Sequence, residues 1–352
     1  MDSLTQACLG GAIGGAVLGR RLGRRAVVLG AVTATLPDLD SFIDYGNAVA
    51  DYTFHRGFSH SLFVLTGVAA LATLICSRLP RARDIPARRW WWFWWLCLIT
   101  HPLLDACTTY GTQLMWPLAP PPTAWPLFFI IDPLYTLPLL IAVIVMLIRG
   151  RPGRAPLAGL ALSTLYLGFA ISAKAAVIDH ITPTLIERDL VDRPVMVQPT
   201  PFNTLVWRVT VIDDGRQLEA LVSLFDGDQA PRFDLFRRPQ VDYDSAVDLW
   251  AGQRLAWFSA PFWRISAADD QLLITDLRMG FPGSYFFAFV VAEREDNGWQ
   301  AVTPRQPQDL RPDMSLLPRL AARIVDSRAL CPADFGDRDL LLPESECVMP
   351  ST

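Results

Sequence analysis

Charge and histidine are both scarce in this chain. Charged residues make up 19% of its 352 positions, hydrophobic residues make up 51%, and there are four histidines. A soluble enzyme of this length seldom has so apolar a balance, which points to long buried or lipid-facing runs. A basic excess is also missing. The net charge is −4, and the acidic second half argues against nucleic acid, which needs a phosphate-neutralising basic face. No signal peptide with a cleavage site is evident, so the Gly-rich apolar N-terminal segment is expected to stay. Of the six cysteines, Cys8, Cys76, Cys97 and Cys107 lie in apolar segments and read as packing. Cys331 and Cys347 are the two in the second half, where an oxidising compartment would permit a disulfide.

The average hides a division. Residues 1–180 carry 14 Lys and Arg against nine acids, whereas residues 181–352 carry 17 against 26. The expected architecture is an α-helical polytopic membrane domain over 1–180, followed by a soluble β-rich (α+β) domain over 181–352. Ser59–Leu79, Trp90–Tyr110 and Pro156–Ile178 have the roughly 20-residue length of a span, and Pro133–Ile148 is slightly short. Leu4–Gly19 and Ala26–Leu36 read as a tight hairpin, crossing at an angle or re-entrant, with a buried soluble hairpin as the alternative. Gly11, Gly15 and Gly19 share one helical face, which lets a neighbour approach closely.

Orientation follows from arginine. Arg20, Arg21, Arg24 and Arg25 occupy the first connection, Arg78, Arg81, Arg83, Arg88 and Arg89 the third, and Arg149, Arg151 and Arg154 the fifth. Between them, connections two and four hold only Arg56. The positive-inside rule puts the Arg-rich connections in the cytoplasm and the others, with everything after residue 180, outside. The Trp90–Trp95 run reads as an interfacial aromatic belt.

The outer face collects the groups that can do chemistry. His55 and His60 sit in His-Arg-Gly-Phe-Ser-His, His101 and Asp105 in His-Pro-Leu-Leu-Asp, and Asp38 and Asp40 in Leu-Pro-Asp-Leu-Asp; Asp132 precedes Pro133. His101 and Asp105, four apart on a helix, share a face and can chelate together. An unpaired carboxylate so deep in a span is costly, which makes it a functional candidate. An extended turn would point Asp38 and Asp40 the same way, and Gly57 would turn His55 and His60 inward. Ser59 is placed to cap the next helix. Mixed His and Asp donors suit a divalent ion such as zinc, manganese or iron better than calcium, and their number leaves room for one ion or two. Each motif alone also fits a turn or a buried ion pair. Arg56 could hold a phosphate or pair with Asp51 or Asp44. Asp179-His180 reads as a simple helix end.

Met1-Asp-Ser-Leu-Thr-Gln, Leu36-Pro-Asp-Leu-Asp, His55-Arg-Gly-Phe-Ser-His-Ser and His101-Pro-Leu-Leu-Asp-Ala-Cys-Thr-Thr-Tyr-Gly-Thr, in that order, resemble the bacterial YdjM-like family of predicted membrane-bound metal-dependent hydrolases. The resemblance covers about residues 1–180. It implies a bacterial inner (plasma) membrane location, with Asp38, Asp40, His55, His60, His101 and Asp105 as the motif positions. Gln6 stands where many members have His, which removes one candidate ligand, and Ser59 stands where many have Thr.

Downstream, Trp116–Trp125 is Pro-rich and reads as a connector, with a roof over the site as the alternative. Thr204–Ile212 and Leu218–Phe225 flank a hairpin turn, and Leu255–Ile265, Leu272–Leu277 and Tyr285–Glu293 continue the strand pattern. Long family members carry a tail similar to Phe202–Arg208, so this domain resembles one that covers or feeds the membrane site; a protein-partner module using its acidic surface fits equally. The expected activity is metal-assisted hydrolysis of an ester or phosphoester in a membrane lipid or lipid-linked substrate. His55, His60, His101 and Asp105 are the strongest expected ligands. Asp38 and Asp40 are expected as ligands or bridging carboxylates, and Asp132 as general base. A metal-stabilised scaffold or sensor is the alternative. An ion transporter is disfavoured because the acids gather at one face.

Overall fold

The computed structural model describes residues 1–80, 82–151, 153–296, 298–307 and 314–347; Arg81 of the third connection lies outside them. The chain divides into two compact units. One holds Met1–Ile43, Phe54–Ile171 and Pro201–Asn203, and the other holds Asp44–Thr53, Ser172–Thr200 and Thr204–Thr352.

The first unit is helical. Helices α1 (Ser3–Leu22) and α2 (Arg24–Thr35) form a hairpin at Gly23, whose φ of +56° favours glycine. Their backbones touch. A Cβ on Gly10 would lie 2.3 Å from the Gly30 carbonyl oxygen, and one on Gly14 2.1 Å from that of Ala26, so only small residues fit. Gly11 and Gly15, from the face expected to receive a neighbour, meet Val143 and Met146. A second small-residue face thus serves α2, and the expected one serves the later helix that carries Val143 and Met146.

A 3-10 turn, Pro37–Phe42, follows, then α3 (Ala48–Phe54), a second 3-10 turn (Phe58–His60), α4 (Leu62–Arg78), α5 (Ala87–Ala106), α6 (Pro133–Arg149) and α7 (Ala155–Glu187). The expected cap Ser59 does not cap α4. Ser61 does, accepting from Val64 N–H. Helix α5 stops at Ala106, short of Tyr110, as the Thr108 hydroxyl turns back to the Asp105 carbonyl at 2.7 Å. Asp132 caps α6 ahead of Pro133. Trp90 and Phe93 are buried in the unit's core with Leu9, Ile13, Cys97, Phe128 and Leu139, so the Trp-rich run is partly core and not simply a belt.

Among the described residues one helix, α7, is long and apolar enough to cross a membrane by itself, and residues 48–60 with 62–78 add a second only if counted as one broken span. Helix α6 is apolar but has 17 residues. Glycines dilute α1, and Trp, Arg, His and Asp dilute α5. At 33 residues, α7 is about 50 Å long, well beyond the roughly 30 Å of a hydrocarbon core. The helix does not end near Ile178 as expected. Ala173, Val177, Ile181 and Leu185, four apart on its later turns, pack into the second unit's core.

That unit is β-rich. Strands β1 (Val195–Pro199), β2 (Val206–Asp213), β3 (Arg216–Ser223) and β4 (Asp234–Arg237) form an antiparallel sheet in chain order. The expected hairpin is present, with Asp213 paired to Arg216 and Gly215 at φ +78°. Trp207, Val209, Val211, Leu218, Ala220 and Val222 cover the apolar stripe of α7. Helices α8 (Tyr243–Asp248) and α9 (Trp250–Ser259) come next. The strand expected over Leu255–Ile265 is therefore half helix. Leu255 and Phe258, three apart, are both buried, a helical spacing, and the chain becomes a strand only beyond Pro261. Strands β5 (Trp263–Ala268), β6 (Gln271–Asp276), β9 (Ala288–Glu295) and β10 (Gly298–Arg305) make a second sheet in the order β10-β9-β6-β5. A small hairpin, β7 (Gly280–Phe281) and β8 (Ser284–Tyr285), sits between β6 and β9 in sequence, and α10 (Leu317–Ala322) follows the sheets. Cys331 and Cys347 form a disulfide, with their Cα atoms 5.6 Å apart.

Candidate metal centre

Four of the expected ligands converge. Asp38 comes from the first 3-10 turn, His60 from the second, and His101 and Asp105 from one face of α5. His101 Nε2 lies 3.1 Å from His60 Nε2, 3.2 Å from Asp38 Oδ1 and 3.4 Å from Asp105 Oδ2. His60 Nε2 lies 3.2 Å from Asp105 Oδ2 and 3.6 Å from Asp38 Oδ1. Three of these side chains are fully buried, while that of Asp38 is 22% exposed.

The partners of the other ring nitrogens fix the proton positions. His101 Nδ1 sits 2.5 Å from the Ala34 carbonyl oxygen, which can only accept, so Nδ1 carries a proton and Nε2 is the nitrogen turned to the cluster. His60 Nδ1 is 2.9 Å from Ser59 Oγ, and Ser59 donates to Asp40 Oδ2 at 2.6 Å. The hydroxyl proton is thus committed to Asp40, and His60 Nδ1–H donates to the hydroxyl. Two Nε2–H groups could not face each other at 3.1 Å, so the histidines cannot both be cations. Asp105 Oδ2, buried in the cluster, has no hydrogen-bond donor among the described residues.

This donor set fits a divalent cation. Bond lengths of about 2.0–2.1 Å to His and carboxylate ligands give a tetrahedron with edges of about 3.3 Å. The five nitrogen–nitrogen and nitrogen–oxygen separations run from 3.1 to 3.6 Å. Around Asp38, burial pushes the carboxyl pKa up, but hydrogen bonds and charge from His101 and His60 hold it far below the usual range.

Asp40 and His55 stand outside this group of four. In a 3-10 turn, residues two apart point in different directions, unlike the extended turn expected. Asp38 therefore turns to the histidines, while Asp40 accepts from His55 Nδ1, Arg56 N–H and the Ser59 hydroxyl at 2.9, 2.9 and 2.6 Å. Asp132 is also elsewhere. Its Oδ1 accepts from Leu134 and Tyr135 N–H and its Oδ2 from the Tyr166 hydroxyl, which is the work of a helix cap. Burial raises its pKa against these hydrogen bonds. His180 is not in the cluster either.

Sequence reasoning gave Gln6 no role. Its amide donates to Asp105 Oδ1 at 3.1 Å and to the His101 carbonyl at 3.2 Å, so it orients two residues of the cluster. The Met1 nitrogen also pairs with Asp105 Oδ1. Arg56 is buried, with Nε 3.4 Å from Asp105 Oδ2 and its guanidinium over the Tyr110 ring. The 112–123 loop is stitched to this segment. Gln113 N–H donates to the Arg56 carbonyl, Leu62 N–H to that of Leu114, and the Ser61 hydroxyl to that of Trp116. Asp234, Cys331 and Cys347 also lie together, but the disulfide occupies both sulfurs.

The fold and the cluster define a helical protein with a buried His/Asp centre and a β-rich C-terminal domain. The family described as YdjM inner membrane protein matches residues 1–177, and this chain belongs to that family. It is 37% identical over 93 residues to Inner membrane protein YbcI of Escherichia coli (strain K12), a stretch that is 26% of this chain. It spans about half (52%) of the length of that curated relative. Both names indicate an inner membrane protein. No solved structure matches.

Proposed function

We propose that this chain is a multi-pass inner-membrane hydrolase in which Asp38, His60, His101 and Asp105 hold a divalent metal, zinc or manganese, near the outer interface. The substrate is an ester or phosphoester of a lipid-linked molecule, and the β-rich domain is extracytoplasmic. The observation that carries this reading is the pair of Nε2 atoms, 3.1 Å apart, that face two carboxylates at 3.2–3.6 Å. A metal there would polarise the scissile group and acidify a water. The protein's own part is to fix the ligands through Ala34, Ser59, Asp40 and Gln6 and to shelter them. Supporting multiple spans, Leu71 and Ile75 of α4, Ile141 and Ile148 of α6, and Leu157 and Leu165 of α7 are exposed, an apolar surface that a soluble protein would bury. Supporting an outward C-terminal domain are the alternating arginines and the disulfide.

The scaffold reading draws on the same geometry, since four protein ligands around tetrahedral zinc leave no open position. An octahedral ion holding the four would keep two. Metal analysis and X-ray absorption on detergent-purified protein separate these readings. The hydrolase needs about one bound metal with more than four ligands, loss of that metal in His101→Ala and Asp105→Ala, and turnover on a panel of lipid esters and phosphoesters. Metal-replete protein that is four-coordinate and turns over nothing returns the scaffold. A periplasm-only reporter should be active after Arg188 and silent after Arg83; the opposite pattern overturns the orientation.

A further inference from the structure

Among the described residues, Arg56 is the strongly basic side chain packed against the cluster. It is 4% exposed, and a buried guanidinium is costly unless its donors are met. Its backbone is held in a left-handed conformation at φ +59°, where a non-glycine residue is strained. Both backbone groups are tied down in that pose, N–H to Asp40 Oδ2 at 2.9 Å and C=O to Gln113 N–H at 3.0 Å. Nη1 donates to Thr108 Oγ1 at 3.3 Å. Nε points towards Asp105 Oδ2 at 3.4 Å, yet neither atom makes a hydrogen bond among the described residues. A buried, unmatched donor of this kind calls for a functional or ligand explanation.

We propose that Arg56 is the anion-binding residue of this centre and that the group it receives is a phosphate. The inference rests on the metal-centre reading and narrows its substrate class from esters in general to phosphoesters. A neutral carboxylic ester offers a guanidinium one weak carbonyl acceptor. A phosphoester brings a formal negative charge and several oxygens, so one oxygen can meet Nε–H while another lies against the ligand cluster. Arginine suits this task better than lysine because its planar fork holds more than one acceptor in fixed geometry.

The test uses the full-length, metal-loaded protein in detergent, titrated by calorimetry with inorganic phosphate and with dihexanoyl phosphatidate. Metal content is measured in parallel for wild type, Arg56→Lys and Arg56→Gln. Arg56→Lys keeps the charge beside Asp105, which guards against simple misfolding. Metal content should hold in both variants, while phosphate affinity falls at least tenfold in Arg56→Gln and by less in Arg56→Lys. Tighter binding of the phosphatidate assigns the phosphate to a lipid headgroup, and tighter binding of inorganic phosphate to a soluble source. Wild type that binds neither ligand, variants that bind as wild type does, or metal lost in step with phosphate would each overturn the proposal. Failure of the hydrolase reading looks different. Arg56-dependent phosphate binding without turnover removes the hydrolase and leaves this site, whereas turnover of carboxylic esters alone without phosphate binding does the reverse.

Discussion

Replacing Asp40 by asparagine tests the proton arrangement behind the metal centre without touching any of its four proposed ligands. Asp40 accepts the Ser59 hydroxyl proton at 2.6 Å, which leaves the Ser59 oxygen to accept from His60 Nδ1–H at 2.9 Å. His60 Nε2 is then the nitrogen turned to the cluster. In Asp40→Asn the amide oxygen best takes the place of Oδ2, where both Arg56 N–H and the Ser59 hydroxyl donate, so the amide N–H₂ turns to His55 Nδ1. The Ser59 hydroxyl then donates to a neutral amide instead of a carboxylate, a hydrogen bond roughly half as strong. Its oxygen becomes a poorer acceptor for His60 Nδ1–H, and the imidazole becomes a weaker metal ligand. Changes to the partners that orient a ligand typically cost 10–100-fold in metal affinity, about 1.4–2.7 kcal/mol. Ser59→Ala should cost at least as much, because it removes the partner of His60 Nδ1 outright. The assay is competition against a fluorescent chelator in detergent. An Asp40→Asn dissociation constant equal to wild type would refute the relay. Metal loss as complete as in His101→Ala would make Asp40 a ligand itself.

Three further outcomes follow from the packing. Gly10→Leu should destabilise the helical unit by about 1–3 kcal/mol or more, since its Cβ would start 2.3 Å from the Gly30 oxygen; a thermal melt unchanged from wild type would refute the close crossing. Asp132→Asn should keep its metal, because asparagine caps nearly as well as aspartate. Because burial raises the Asp132 pKa, its contribution to stability is fullest at low pH and is lost as pH rises through the folded pKa. Asp132→Asn should therefore gain stability relative to wild type from pH 4 to pH 7, and a pH-independent difference would refute this. Reducing the Cys331–Cys347 disulfide, which closes a 16-residue separation, should cost the C-terminal domain roughly 3 kcal/mol, read as a lower denaturant midpoint; an unmoved midpoint would count against it.

The sequence made the centre partly legible because two of its ligands obey a local rule. His101 and Asp105 are four apart on a helix, and that spacing alone puts them on one face. Asp38 and Asp40 followed no such rule. Their motif fits either an extended turn or a 3-10 turn, and the choice decides whether both carboxylates reach the His/Asp cluster or only one. The same ambiguity governs Ser59 and Ser61. Both precede an apolar helix, and only the one-turn 3-10 segment that holds Ser59 and ends before Ser61 shows that Ser61 caps and Ser59 orients. In the β-rich domain, the Asp-Gly turn announced its hairpin. The run from Leu255 to Ile265 was apolar under either periodicity, and buried contacts three residues apart selected helix for its first half.

Gln6 and Ala34 explain why the glycine-rich hairpin belongs to the site and is not merely an anchor. Gln6 lies four residues before Gly10 on α1, and Ala34 lies four residues after Gly30 on α2. The close contact of Gly10 with Gly30 therefore puts both residues one turn beyond the crossing, at the same end of an antiparallel pair. There the Gln6 amide holds Asp105 and the Ala34 carbonyl holds His101 Nδ1. Larger residues at the crossing would push the helices apart and separate these two holds, which act on ligands from a single face of α5. A histidine at position 6, as in many family members, could also donate to a carboxylate from one ring nitrogen. The glutamine keeps that orienting bond while giving up only a potential extra ligand. The departure at position 6 is thus compatible with an intact centre.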